Sequence, residues 1–541
     1  MWNFVRRFGS HSQRLALNND DTLRQILGYL AIGSEPIHAF TDNTHESMKS
    51  SRKDLYSAAL VSRSFAPPAL DLLWQAMNSV KPLINLLPMV HRGHPTGFSV
   101  AYDTRNLEPD VKRFISYADK VQVFYYLPEA EPEADLDWEF FHALKNHPAI
   151  PSPLLPKLHT LYVSSLPADS NHAVLFHTLS TSLRFVKVSS WATASPHLIR
   201  TFVTCLLSQA HMLHQFQVGD LDRMPKDVQG HIFSFRQLRT MRITSLNQMI
   251  FSPTSALAEL VNLETLSMDI SSQSSMPLDN ASIPCHSVKV LHITWNIPPL
   301  FDLLAALETP NICELHLTSR RSKQTVERSM GSLLGAIAKW SSSLRILNIT
   351  QIRTKYLLPV QWSLVRFEHL ESMTLLIIDS PHPPAEMSYW ELARCLPNLK
   401  RLSLPFACPI SLTSLITIIF LCPHLHFLQT SLDTRRVSLL DVINTTAAFP
   451  NNLQTLSMDD TTVLTDPFLV ARNLIIFFPN LTRIISTSPT WNSINDILMF
   501  ARSLDVAKSQ HQTISADLSQ KLRTEMACGD VGTLPKEMRL R

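Results

Sequence analysis

Pro397-Asn398-Leu399-Lys400-Arg401-Leu402-Ser403-Leu404 carries a Leu-x-x-Leu-x-Leu frame, and the same frame can be laid down again along most of the chain. Frames in one register begin at Leu158, Leu183, Leu213, Leu238, Leu263, Val288, Ile312, Leu344, Leu370, Leu399, Leu425, Leu453 and Leu481, in steps of 25, 30, 25, 25, 25, 24, 32, 26, 29, 26, 28 and 28 residues. A frame that returns at this interval marks a repeat protein, in which each unit adds one layer to a stack. The third and fifth residues after the first apolar one are apolar as well, as in Leu263, Leu266 and Met268 or Leu344, Leu347 and Ile349. That spacing predicts a short strand with one face buried. Between frames lie apolar runs of helical spacing, among them Leu300 to Leu307, Leu333 to Trp340, Tyr389 to Leu396, Leu412 to Leu421 and Phe468 to Phe477. Pro156, Pro310, Pro397, Pro423, Pro450 and Pro479 sit just ahead of frames, where proline stops the incoming helix and sets an extended start. Each repeat reads as helix, tight turn, strand, and the fold class is an α/β solenoid of parallel strands backed by helices. A further strand near Val121 would bring the repeats to fourteen, an edge of roughly 60 Å at ~4.8 Å per strand.

Composition narrows the function. In 541 residues the 48 Lys and Arg nearly balance the acids, for a net charge of +3, and the mean hydropathy is +0.03. That is the balance of a water-soluble protein without the bulk basic excess of a nucleic-acid binder. Only 11 glycines are present, and neither Gly-x-Gly-x-x-Gly nor Gly-Lys-Ser/Thr occurs, which argues against nucleotide binding. The seven cysteines include no Cys-x-x-Cys pair, so reduced thiols in cytoplasm or nucleus are expected rather than disulfides or a zinc knuckle. The Asn-x-Ser/Thr triplets at Asn280, Asn348, Asn444 and Asn480 read as coincidence in that setting. The apolar segment Leu415 to Leu421 ends at Pro423 and falls short of the ~20 residues of a membrane span. His424 and His426 flank Leu425 and could face one side of a strand, but no third ligand is near in sequence. Without Gly-x-Ser-x-Gly or His-Glu-x-x-His either, neither an enzyme nor a cofactor or metal is expected.

The segment ahead of the repeats is different. Arg6, Arg7 and Arg14 occur without an acid in a leader read as disordered over residues 1–16, a composition shared with mitochondrial presequences. Leu23, Ile26, Leu27 and Leu30 then share a helical stripe, with Asn19 or Asp20 available as N-cap. Ala31 to Lys53 shows no apolar rhythm and reads as a flexible excursion, and a second helix is expected over 54 to 65. Pro67-Pro68 precedes a third element, Ala69 to Trp74. The pattern Leu-x-x-Ile-Leu-x-x-Leu at 23 to 30, Ala-Ala-Leu-Val-Ser-Arg-Ser-Phe at 58 to 65 and Leu-x-Leu-Leu-Trp at 70 to 74 resembles the F-box of fungal F-box and leucine-rich repeat proteins. The long steps resemble the helix-backed leucine-rich repeats of that family. The chain departs from it in carrying Leu17-Asn18 for Leu-Pro, and in having Asn296 alone where a buried asparagine would fall eight residues into each frame from Leu158 to Leu370.

The resemblance implies a substrate-recognition subunit of a Skp-cullin-F-box ubiquitin ligase. It places Leu17, Ile26, Leu27, Leu60, Val61 and Trp74 on the Skp adaptor, and through the adaptor a cullin. A leucine-rich repeat scaffold outside ubiquitination is the alternative. The implied layout is a head over 17–76, a linker over 77–110, repeats with a capping helix over 111–504, and a loose polar tail over 505–541. If the apolar positions point inward, residues two, four and six of each frame line the concave face. That makes Tyr162, Phe185, Lys187, Arg242, His292, His316, Arg401 and Phe427 the candidate contacts for a target protein, with no nucleic acid or membrane as partner and a monomer within the complex. The acid run Glu129, Glu131, Glu133, Asp135, Asp137 and Glu139 reads as a solvated loop.

Overall fold

The computed structural model describes residues 19–31, 44–87, 90–94, 97–100, 108–127, 141, 144–145, 150–166, 172–246, 257–270, 283–295, 300–319, 330–352, 367–377, 392–404, 409–433, 451–458 and 467–527. Leu17, Asn296, the acid run and the leader lie outside them. The chain divides into two compact units, Met1–Asn311 and Ile312–Arg541, and each contributes parallel strands.

The first unit opens on three helices, α1 Asp20–Gly28, α2 Thr44–Ala59 and α3 Ala66–Gln75. The Asn19 side chain caps α1 by accepting the Thr22 N–H at 3.1 Å. α2 begins ten residues earlier than its apolar rhythm suggests, because nothing in 44–53 breaks a helix and Arg52 has a structural partner. Its Nη1 donates to the carbonyls of Leu73 and Ala76 at the end of α3, satisfying acceptors that a helix terminus leaves open. Leu27, Leu55 and Ala69 form the small core among these helices. α3 runs directly into β1, Ala76–Met77, so head and repeats are continuous. Within 77–110, Val80, Leu83, Ile84 and Leu87 around the short helix Lys81–Ile84 are buried, and Val90–His94 pairs antiparallel with Gly97–Val100.

β1 pairs parallel with β2 Val123–Tyr126, and the ladder continues through β3 Thr160–Ser165, β4 Phe185–Ser190, β5 Gln215–Gly219, β6 Thr240–Leu246, β7 Thr265–Ile270 and β8 Val290–Trp295. In the second unit β9 Glu314–Ser319, β10 Ile346–Ile352, β11 Ser372–Ile377, β12 Arg401–Ser403, β13 Phe427–Thr430, β14 Thr455–Met458 and β15 Arg483–Ile485 pair in chain order, again all parallel. Every frame read from the sequence begins two residues before one of these strands. Equivalent positions are register partners until the ends of β6 and β10, where the register shifts and Leu246 meets Ile270 and Ile352 meets Ile377. Nearly all third and fifth residues, such as Leu161 and Val163 or Leu347 and Ile349, are buried. The helices behind the strands bury one stripe. In α4, Pro196–Gln209, that stripe is Ile199, Phe202, Val203 and Leu206, and Ser195 caps the helix by accepting the Leu198 N–H. α5, Leu412–Leu421, buries Leu412, Leu415, Ile418 and Ile419 and ends at Cys422, just ahead of Pro423.

The stack has an asparagine ladder, but not at the family's usual position. Leu166, Trp191 and Leu221, eight residues into their frames, are buried apolar side chains. The ladder instead uses the residue just before five of the frames. Asn262 donates to the Arg236 carbonyl (2.9 Å), Asn311 to His286 (3.2 Å), Asn398 to Glu368 (2.6 Å), Asn452 to Pro423 (3.1 Å) and Asn480 to Asn451 (2.5 Å). In each case the acceptor lies two residues ahead of the preceding frame. The Ser182 hydroxyl makes the same bond to Pro156 at 3.0 Å. Turn is tied to turn, which leaves fewer loop carbonyls unsatisfied.

The last strand is closed by α7, Pro489–Ala527, which packs on α6, Pro467–Phe477. Trp491, Ile494 and Leu498 of α7 are buried, and Asn495 Oδ1 accepts the N–H of Ile484 on β15 at 2.8 Å. An open sheet edge is thereby partly satisfied. The helix does not stop at Leu504, where the capping helix was expected to end. It continues to Ala527 through a stretch without Gly or Pro, so 505–527 is helical rather than loose.

Candidate functional site

Two surfaces stand out, one on the helical head and one on the open face of the strands. On the head, α1 carries two apolar stripes rather than one. Leu23 and Leu27 turn inward, whereas Ile26, Tyr29 and Leu30 turn out, with Tyr29 84% exposed. Tyr56, Leu60 (70% exposed) and Val61, at and just beyond the end of α2, are exposed as well. These large apolar groups lie outside the head's small core. Of the residues the resemblance places on an adaptor, Ile26, Leu60 and Val61 therefore face solvent. Leu27 does not, being part of the head's own core, and Trp74 is half-buried with its ring 4.6 Å from that of Tyr117. Tyr29 and Tyr56 were missed because tyrosine was not counted with the aliphatic stripe, although their spacing from Ile26 and Leu60 was available.

Asp71 of α3 anchors the head. It accepts from Arg24 of α1 at 2.7 Å and pairs with Lys120, just ahead of β2, at 2.7 Å. Burial acts to raise its pKa, but the hydrogen bonds from Lys120 and Arg24 outweigh it and hold the carboxyl below its ordinary value.

On the open face of the first unit, one row runs through register partners Tyr125, Tyr162, Lys187, Gln217, Arg242, Ser267 and His292. Not all of it is open. The rings of Tyr125 and Tyr162 stack at 4.8 Å, close to the strand spacing, and Phe185 leans on Tyr162 at 5.3 Å. Tyr162 is only 5% exposed and Lys187 only 8%, so two of the expected target contacts are buried. Burial, with Tyr125 adding to it, raises the Tyr162 pKa; burial and then Arg242 lower that of Lys187. Phe185, Arg242 and His292 are half-buried.

The matching row in the second unit is His316, Asn348, Thr374, Ser403, Gln429, Ser457 and Ile485. It is a row of hydroxyls and amides bonded to one another: His316 Nδ1 lies 2.9 Å from Asn348 Nδ2, and the Ser403 hydroxyl donates to Gln429 at 2.8 Å. Beside it Arg401 is exposed, with its guanidinium 5.7 Å from the ring centre of Phe427.

Among the described residues no group of three or more His, Cys, Asp or Glu could hold a metal ion. His424 and His426 lie in the turn before β13 rather than on it, and His426 Nδ1 is 3.3 Å from the Asn452 carbonyl. Burial raises the thiol pKa of both Cys285 and Cys422 to about 12, which leaves them unreactive at neutral pH. Among the described residues no helix is long and apolar enough to cross a membrane.

No protein-family model matches the chain, and no curated protein matches it in sequence. Among solved structures it is similar to the leucine-rich repeat-containing protein LegL7 from Legionella pneumophila, at 13% identity and a TM-score of 0.21, over 72% of this chain and 93% of that one.

Proposed function

We propose that the chain is a non-catalytic protein-interaction scaffold with two grips, the three-helix head and the open strand faces. The observation that carries this is the outward apolar set Ile26, Tyr29, Leu30, Tyr56, Leu60 and Val61, which the head's own core of Leu27, Leu55 and Ala69 does not use. Covering such groups against a partner is worth ~1.5 to 3 kcal/mol for each side chain fully buried. The strand faces, polar and one row per unit, suit recognition of a folded or extended protein better than of a metabolite.

The more specific form of this reading follows the sequence resemblance. The head docks on the Skp adaptor of a cullin ubiquitin ligase, in cytoplasm or nucleus, while the repeats hold the protein to be modified. Retention of the purified chain on immobilised Skp adaptor tests it. The wild type is expected to be held at micromolar concentration and the double variant Leu60→Asp, Val61→Asp to be lost. Both side chains are exposed, so the variant should keep the wild-type circular dichroism. A wild-type chain that washes off would end the ubiquitin reading and leave the scaffold.

A further inference from the structure

In the first unit the residue that follows the first apolar position of each frame forms a rim. From β3 onward it reads His159, Arg184, His214, Arg239, Glu264 and Lys289. Their backbones are laddered, with Arg184 N–H on the His159 carbonyl, His214 on Arg184, Arg239 on His214, Glu264 on Arg239 and Lys289 on Glu264, all at 2.8 to 2.9 Å. Successive rim residues therefore sit one strand apart. Some acid and base neighbours on this rim pair, Lys289 with Glu264 at 3.5 Å and, in the second unit, Lys400 with Glu371 at 2.9 Å, whereas Arg239, the other rim neighbour of Glu264, makes no ion pair with it.

The exposed rim arginines Arg184 and Arg239 make no such pair among the described residues. The frames over 158–165, 183–190, 213–220 and 238–246 contain Arg184, Lys187, Arg239 and Arg242 against one carboxylate, Asp220, which accepts from the Ser190 hydroxyl at 2.6 Å. Among the described residues none of the guanidinium groups of Arg184, Arg239 and Arg242 is in an ion pair; Arg184 and Arg239 are exposed and Arg242 is half-buried. Like charges gathered on neighbouring strands repel one another and favour an anionic partner. Arg184 and Arg239 are two strands apart, ~9.6 Å. In an extended peptide, residues i and i+3 are separated by about 10 Å. A nucleic acid fits less well, because the rings of Tyr125 and Tyr162 are spent on each other and offer no open face for bases.

We propose that this face binds an extended acidic segment of a partner protein, laid across β4 to β6 with carboxylates at every third residue. Arginine is suited to the task by its bidentate grip on a carboxylate. The proposal rests on the reading of the repeats as the half that holds a target. The test uses the full chain and a fluorescein-labelled peptide with Glu at every third position and Gly or Ser elsewhere, followed by fluorescence anisotropy. Binding is expected at low salt, weakening as salt rises, and dropping about tenfold in the double variant Arg184→Gln, Arg239→Gln. Unchanged thermal unfolding of that variant shows that the fold survives. The proposal is overturned if the Gln-for-Glu peptide binds equally well, if the arginine variant binds as the wild type does, or if an oligothymidylate of matched charge binds more tightly. The variant Leu60→Asp, Val61→Asp separates the two readings, since it should lose the adaptor and keep the peptide.

Discussion

The open faces of the two units are built on one backbone frame and carry different chemistry. In the first unit the central row begins with a tyrosine stack and continues through Lys187 and Arg242 to His292. In the second it is a chain of short polar groups from His316 to Ser457 that largely satisfy one another. Behind both rows the inward residues are mostly buried aliphatics, with Phe216 and Thr430 among the exceptions in type. A parallel stack demands only that the inward positions interlock and that each turn meets the next, so the outward positions are free to diverge.

This comparison is open to direct test. The largest effects should be equal in the two units: Leu161→Ala and Leu347→Ala each remove a fully buried side chain and should cost about 3 to 4 kcal/mol in chemical denaturation followed by circular dichroism. A much smaller loss in one unit would break the claim that the two cores are equivalent. Next in size, Tyr162→Ala should cost about 3 kcal/mol because its stack with Tyr125 and contact with Phe185 vanish. Thr374→Ala, in the equivalent row of the second unit and half-buried, should stay within about 0.5 kcal/mol. Equal values would erase the difference between the faces. The turn ladder should again be common to both: Asn262→Ala and Asn398→Ala each remove one bond to a neighbouring turn and should cost about 1 kcal/mol.

The last test concerns the head, which only the first unit has. The carboxyl pKa of Asp71 is depressed in the folded state, so its contribution is fully present above the ordinary carboxylate value and is lost as pH falls through the folded value. Limited proteolysis of the head should therefore quicken in acid below about pH 4. Asp71→Asn should show the quickening already at neutral pH and flatten the acid dependence. A wild-type rate with no acid dependence would remove Asp71 from this role.

The helices and turns show where a linear reading succeeds and where it stops. α5 was legible as the apolar run Leu412 to Leu421 closed by Pro423, a local signal, and in the structure Ser411 caps its start. α2 was read too short because its first turns have no apolar period; Arg52, which ties it to α3, finds its partner 21 residues away. At the end of β5 the sequence offers only Gly219 followed by Asp220. In three dimensions a side chain at Gly219 would run into the Ser189 carbonyl, and Asp220, with φ of 46°, accepts from the Ser190 hydroxyl at 2.6 Å.

The amino-acid order alone determined the parallel repeat and the start of every strand from β3 onward, because period and apolar alternation are properties of consecutive residues. It also placed apolar residues on the head. Folding alone decided which of these turn outward, that Tyr162 and Lys187 are covered while Arg184 and Arg239 are not, and that the asparagine ladder runs through the turns. Exposure and pairing depend on what the neighbouring strand, some 25 residues away, brings alongside each position, and no local pattern carries that.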